Sequence, residues 1–277
     1  MNDLDSEVRY HMLRPVDIVR RRTECPVVYI PIGNLEWHGH HNPTGTDTLQ
    51  AEGMAILCAQ KGGGLAFPAL YYGESRAESL MEATAADRED IAREMKLDPD
   101  SFSPEHHPFT PTEQVLNYQR LLLHVLAEAE SLGFEIGVLV AGHYPLIDHA
   151  RSAVVLFNQR HYSKRRGMLA WAFVDYLLLR DAYEGAGDHA GGWETSHMLA
   201  LHPETVDLEA LPPRGEKLIG AGGRIDPRNS SSDFGEETLS AAADIAVHEV
   251  KHRLENKQTY RGHGNSLREG LWREGRD

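Results

Sequence analysis

The stretch Val27-Val28-Tyr29-Ile30-Pro31-Ile32, closed by Gly33, decides the fold. It is short, rich in β-branched residues and bounded by a breaker, which predicts a buried strand. A polar loop from Asn34 to Thr46 follows. Asp47-Thr48-Leu49-Gln50 then opens a helix, with Asp47 as N-cap and Gln50 at the third helical position. Met54, Leu57 and Cys58 carry that helix on, and Gly62-Gly63-Gly64 ends it.

The same alternation recurs downstream. Leu65 to Tyr72 reads as a second strand. Thr110-Pro111-Thr112-Glu113 is a capping box with proline at the first helical position. Its helix runs through Leu116, Leu121, Leu122 and Val125 to Gly133. Ile136 to Val140 is a third buried strand and leads into Ala141-Gly142-His143-Tyr144. A helix from about Leu146 to His161 and a strand from Met168 to Val174 complete the series. Alternating strands and helices predict an α/β domain: a largely parallel sheet flanked by helices. Residues 1–260 read as one domain and 261–277 as a tail or an oligomer arm. An acidic insertion occupies about 74–108; its 74–105 portion holds ten acidic and four basic residues. A solvated helical excursion is expected there, either decorating the surface or serving as a lid or subunit contact.

Composition narrows the function. The 277 residues carry 28 Lys+Arg against 42 Asp+Glu, a formal charge of -14. That excess of acid argues against nucleic-acid and anionic-membrane partners, which need a basic surface. Cys25 and Cys58 make neither a disulfide framework nor a Cys-rich zinc site. The N-terminal residues have no apolar signal-peptide core, and no run approaches the ~18 apolar residues of a membrane span. A cytoplasmic protein is expected.

The unusual count is 16 histidines. Glu36 and His38 lie two apart, so in an extended chain they face one side and suit one metal centre. Glu36, His38 and His143 all follow strand ends, where ligands of parallel sheets collect. Asp47 fits either a plain N-cap or a carboxylate bridging two cations. His40 and His41 read as further ligands or as exposed loop residues. In Asp188-His189-Ala190-Gly191-Gly192-Trp193-Glu194, a His and a Glu straddle a Gly-rich helix start. They suit a proton donor and a ligand, or a helix entry with a favourable acid in its first turn.

His248-Glu249-Val250-Lys251-His252 is a literal H-E-x-x-H, the zinc metallopeptidase pattern. Its helix has an apolar stripe of Leu239, Ala243, Ala246, Val250 and Leu254. At ~100° per residue, His248 and His252 fall roughly 160° from Val250, opposite that stripe. Solvated histidines are therefore expected, with a peptidase as the alternative. Lys61-Gly62-Gly63-Gly64 is not a phosphate-binding loop, Gly220-Ala221-Gly222-Gly223 lacks the dinucleotide fingerprint, and no G-x-S-x-G elbow occurs.

Three segments together resemble one family. PIGNLEWHGHHNPTGTDT (31–48) is similar to the creatininase signature Gly-x-x-Glu-x-His-Gly-x-His followed by Gly-Thr-Asp-Thr. VLVAGHY (138–144) resembles its second signature, and DHAGGWETSHMLAL (188–201) its third. The resemblance implies a dinuclear divalent-metal site that hydrolyses a non-peptide C–N bond, in a homo-oligomer that is often a hexamer. It implies Glu36, His38, Asp47, His143 and Glu194 as ligands of two divalent ions (Zn, Mn or Fe), with Asp47 bridging. His189 would move the proton, and Ser75 would meet the substrate. Beside the resemblance, Tyr144 and Trp193 are candidate walls of the substrate pocket.

This chain departs from the family's namesake in two places. Pro145 stands where a glutamate is usual, and the Asp181–Gly187 loop offers Tyr183 where a tryptophan is usual. A small amide, formamide or lactam other than creatinine is the expected substrate. A catalytically inert metal-binding protein on the same fold is a further alternative.

Overall fold

The structure, a computed structural model, describes residues 6–73, 86–98, 108–160 and 167–260. Four parallel strands form its sheet: β1 (Val27–Ile32), β2 (Leu65–Ala66), β3 (Ile136–Ala141) and β4 (Leu169–Val174), in the order β2-β1-β3-β4. β1 pairs with β3 from Val27 opposite Ile136 to Ile32 opposite Ala141. β3 pairs with β4 from Ile136 opposite Leu169 to Ala141 opposite Val174. Every residue of these three long strands is buried. Parallel strands covered on both faces give the continuous apolar runs seen in the sequence.

Alternate side chains feed two cores. Val27, Tyr29, Ile136, Val138, Val140, Trp171 and Phe173 share one core with α2 (Thr46–Gly62), α7 (Gly192–Leu201) and α8 (Ser232–Glu255). Val28, Ile30, Ile32, Leu139, Ala141, Ala170 and Val174 share the other with α4 (Pro111–Ser131) and α5 (Leu146–Arg160). Helix α1 (Pro15–Glu24) contributes Ile18 to that second core. The α4 capping box forms as expected: Glu113 N donates to Thr110 Oγ1, and Thr110 N donates to Glu113 Oε2 at 2.8 Å.

Two expectations need correction. The strand expected over 65–72 stops at Ala66, because Pro68 has no N–H for a ladder. The chain still follows β1, with Leu70 N donating to Pro31 O. Asp47 is not an N-cap either. The helix starts at Thr46, its N-cap is Gly45, and the Asp47 carboxylate turns inward toward histidines. The 261–277 tail lies outside the described residues.

The acidic insertion is not wholly a solvated face. Its described part contains α3 (Arg88–Glu94), which buries Ile91 and Ala92 against Trp37. Lys217 pairs with Asp87 and, at 3.2 Å, with Asp90.

The order reverses between β1 and β3: β1 leads through α2 to β2 on one side, and β3 leads through α5 to β4 on the other. The gap beyond their carboxyl ends is the topological switch point of an open parallel sheet. The N-terminus of α2 closes onto this gap. A Cβ on Gly142 would lie 1.7 Å from Asp47 O, so only glycine admits the contact. Gly142→Ala is therefore expected to lower stability at or beyond the ~3 kcal/mol end of overpacking costs. Gly222→Ala, where an added Cβ meets nothing within 4 Å, should change it by less than ~0.5 kcal/mol. Equal denaturant midpoints for the two variants would refute this packing.

Candidate metal centre

Three segments converge at the switch point. Glu36 and His38 come from the loop after β1, Asp47 from the first turn of α2, and His143 from the residue pair beyond β3. Glu194 comes from the first turn of the helix α7. All five are buried, three of them carboxylates. His38 Nε2 stands 3.0 Å from Asp47 Oδ1 and 3.5 Å from Glu194 Oε2. His143 Nδ1 stands 2.9 Å from Glu36 Oε2 and 3.2 Å from Asp47 Oδ2. Asp47 thus meets one histidine through each oxygen.

Ligand atoms gather into three groups with metal-binding spacing: Glu36–Asp47–His143, His38–Asp47–Glu194 and Glu36–His38–His189. His38 Nδ1–H donates to Glu36 O at 3.1 Å, which fixes the tautomer and leaves Nε2 facing the carboxylates. Buried carboxylates in this number need compensating positive charge. A mixed imidazole–carboxylate set suits Zn, Mn or Fe.

The electrostatics follow from burial and proximity. Burial pulls the His38 pKa down, but Asp47, Glu194 and Glu36 outweigh it and lift the value to about 10. His143 is likewise lifted to about 10, against burial, by Asp47 and Glu36. Burial pushes the Asp47 carboxyl up, but His38 and His143 hold it well below the usual carboxylate range. Burial drives Glu194 well above that range; Asp47 and Asp188 add to the rise, while His38 opposes it.

His189 lies against this cluster. Its ring is 4.4 Å from that of His38, and its Nε2–H donates to Trp37 O at 2.8 Å. Burial first, then the neighbouring His38, lowers its pKa to about 4. The ring is therefore neutral near pH 7, with the lone pair on Nδ1. The segment around it is tightly set. Ala190 has φ +52° and donates from N to Glu194 Oε2 at 2.7 Å. Asp188 accepts from the backbone N–H groups of Gly191, Trp193 and Glu194.

A cavity of about 410 Å³ opens onto Asp47, His143, His189 and Glu194. Tyr144 and Trp193, two of the residues expected to meet substrate, line it together with Tyr176 and Asp175. Ser75, the third, lies outside the described residues. Tyr183 turns away toward Trp193 and Phe234 and donates to Glu237 at 2.7 Å.

The other histidines separate cleanly. His41 is buried with Nε2 3.0 Å from Thr195 Oγ1, a brace to α7. His40 pairs instead with Glu94 of α3 at 3.2 Å. His248 and His252 are exposed, and Glu249 bonds Arg253 at 2.6 Å, so the H-E-x-x-H residues face away from the centre. Sequence reasoning missed Gln50, Asp175 and His197, which meet beside the cavity. His197 lies three residues after Glu194 on α7, a helical spacing that could have flagged it.

Proton and cation compete for His38 and His143. In the metal-free protein both hold protons until the pH rises toward about 10, whereas a cation needs their lone pairs. Metal affinity should therefore rise with pH between about 6.5 and 10, and metal uptake at neutral pH should release protons. Calorimetry in buffers of different ionisation enthalpy reads this directly; a pH-independent affinity without proton release would contradict it. A double substitution of His248 and His252 by Ala should leave metal content unchanged by elemental analysis. Stoichiometric loss would instead place ligands on α8.

Comparison with known proteins points to one family. The family model described as Creatininase: Creatinine amidohydrolase matches residues 11–250. The chain is 28% identical to creatinine amidohydrolase of Pseudomonas putida over 67% of its own length and 68% of that protein's. It is 25% identical to 3-dehydro-scyllo-inosose hydrolase of Thermotoga maritima, over 79% of this chain and 64% of that protein, just under two thirds. Among solved structures, a Zn-Zn type creatininase variant superposes on 90% of this chain and 98% of its own with a TM-score of 0.64 at 19% identity. A structure titled Creatininase Mn does so over 90% and 99%, with a TM-score of 0.64 at 22% identity. With three signature segments meeting at one buried centre and a family match spanning most of its length, the chain belongs to the creatininase family of hydrolases.

Proposed function

We propose that the chain is a metal-dependent amidohydrolase that cleaves a non-peptide C–N bond in a small amide, formamide or lactam. The observation that carries this reading is Asp47, buried between His38 and His143 with one oxygen toward each. On this reading Glu36, Asp47 and His143 hold one divalent cation, and His38, Asp47 and Glu194 hold a second. Divalent cations bound there lower the pKa of water toward neutrality and polarise an amide carbonyl.

The chain's own residues supply the rest. His189 is neutral at pH 7 and takes a proton on Nδ1 while Nε2–H stays anchored on Trp37 O. It then returns that proton to the departing nitrogen. Its base form does the first half of the work, so it is not only an acid. Tyr144, Tyr176 and Trp193 wall the cavity and orient a small substrate.

Creatinine is not the expected substrate. Pro145 gives the centre no carboxylate at that position, and Tyr183 is tied to Glu237 rather than turned to the cavity. Tyr176 lines the cavity instead, with Tyr144 and Trp193. His189→Ala should keep its metal and lose roughly 10²–10⁴-fold in turnover, the usual contribution of a positioned acid or base. The assay is a panel of small amides, formamides and lactams, with creatinine and an inosose as comparison arms. Loss of metal in proportion to activity would make His189 a ligand. Creatinine hydrolysis at a kcat/KM of about 10⁴ M⁻¹s⁻¹ or more, the low end of ordinary enzymes, would overturn the substrate reading.

A further inference from the structure

Beside the metal centre, two polar side chains meet at one histidine. Gln50 sits one helical turn after Asp47 on α2, and Asp175 is the first residue of α6 (Asp175–Leu179), directly beyond β4. Gln50 Oε1 is 2.9 Å from His197 Nδ1, and Asp175 Oδ2 is 3.4 Å from the same nitrogen. Two acceptors around Nδ1 place the proton there, and the Thr238 hydroxyl faces Nε2 at 2.9 Å. Trp193 Nε1–H also donates to Asp175 Oδ2, at 3.3 Å.

These contacts lock both side chains and leave Asp175 Oδ1 over. Gln50 is 7% exposed, and its Nε2 is closed to solvent and has no hydrogen-bond partner among the described residues, so Gln50 serves to hold His197. Both protein contacts of Asp175 fall on Oδ2; Oδ1 makes none among the described residues. Both residues line the 410 Å³ cavity. A separate void of about 10 Å³ behind Gln50 is at the lower limit for a single water. In the large cavity a ligand meets Asp175.

The charge of the cavity points one way. Its carboxylates are Asp47, Glu194, Asp188 and Asp175, and among the described residues none of its lining is Lys or Arg. Asp47 and Glu194 belong to the metal centre, and Asp188 is satisfied by three backbone N–H groups. Asp175 is left to face the ligand. The rings of Tyr144 and Tyr176, 5.8 Å apart, stand beside it as aromatic faces that attract a cation.

We infer that Asp175 and the Tyr144–Tyr176 wall form a subsite for a protonated amine, so that the substrate is a small amide that also carries an ammonium group. Asp175 Oδ1 accepts from the ammonium, while His197, held in turn by Gln50, and Trp193 fix Asp175 Oδ2. This rests on the amidohydrolase reading for the reaction but not for the binding.

The test is calorimetric binding of butanamide and 4-aminobutanamide to the metal-loaded protein. The amino compound should bind roughly tenfold tighter or more, the least expected of a charge-assisted hydrogen bond. Asp175→Asn should erase that preference while keeping metal content and butanamide affinity. Equal affinity for the two amides, or a preference that survives Asp175→Asn, would overturn the subsite. Should Asp175→Asn fail to fold, the exposed Tyr144 decides. A preference reduced about two- to five-fold in Tyr144→Leu supports the subsite, and an unchanged preference overturns it. Because the readout is binding, a preference without turnover sustains the subsite and removes the hydrolytic reading, whereas turnover without a preference does the reverse.

Discussion

The rest of the structure depends on burying the Asp47 carboxylate between two imidazoles. Asp47, Glu36 and Glu194 are all removed from water within one small volume. Three carboxylates so placed repel one another: Glu194 is driven toward its neutral form, and the two histidines compensate at most two charges. In the metal-free protein that compensation takes the form of protonated His38 and His143. Breaking a buried charged pair by removing one partner typically costs ~3–5 kcal/mol, because the other charge is left uncompensated. A centre built this way makes cation binding part of the stability of the folded chain.

The fold meets that demand with rigid elements rather than with flexible loops. β1 and β3 end side by side at the switch point, and α2 packs its first turn against Gly142. The third contributor, α7, is held by His41 and Asn42 on Thr195 and by Asp188 on its first N–H groups. His189 follows from the same bracing, since its acceptor is the carbonyl of Trp37. That loop is in turn covered by Ile91 and Ala92 of the acidic insertion. The insertion thus supports the residue proposed to move the proton, although it contributes no ligand among the described residues.

Much of this was legible in the sequence because local signals and tertiary roles coincided. Continuous apolar runs marked β1, β3 and β4, and the Thr110 capping box marked α4. The three signature segments named the residues that the structure gathers. Other features could not be read locally. Pro68 truncates β2, yet the chain continues beside β1 through single hydrogen bonds, so an apolar run and a paired segment were hard to tell apart. Asp47 carries the local signature of a cap, but the close approach allowed by Gly142 turns it inward. Gln50, Asp175 and His197 lie far apart in sequence and meet only after β4 docks on β3 and α7 on α2. His248 and His252 show the converse: a literal motif whose helical phase puts it in solvent.

The central claim is that one buried carboxylate organises two cations. Anomalous diffraction from crystals of the metal-loaded protein tests it most directly, with data collected at the absorption edge of the bound metal. The account predicts two anomalous peaks about 3.5–4 Å apart, one on the Glu36–His143 side of Asp47 and one on the His38–Glu194 side. A single peak at full occupancy, or peaks on ligands that exclude Asp47, would contradict it.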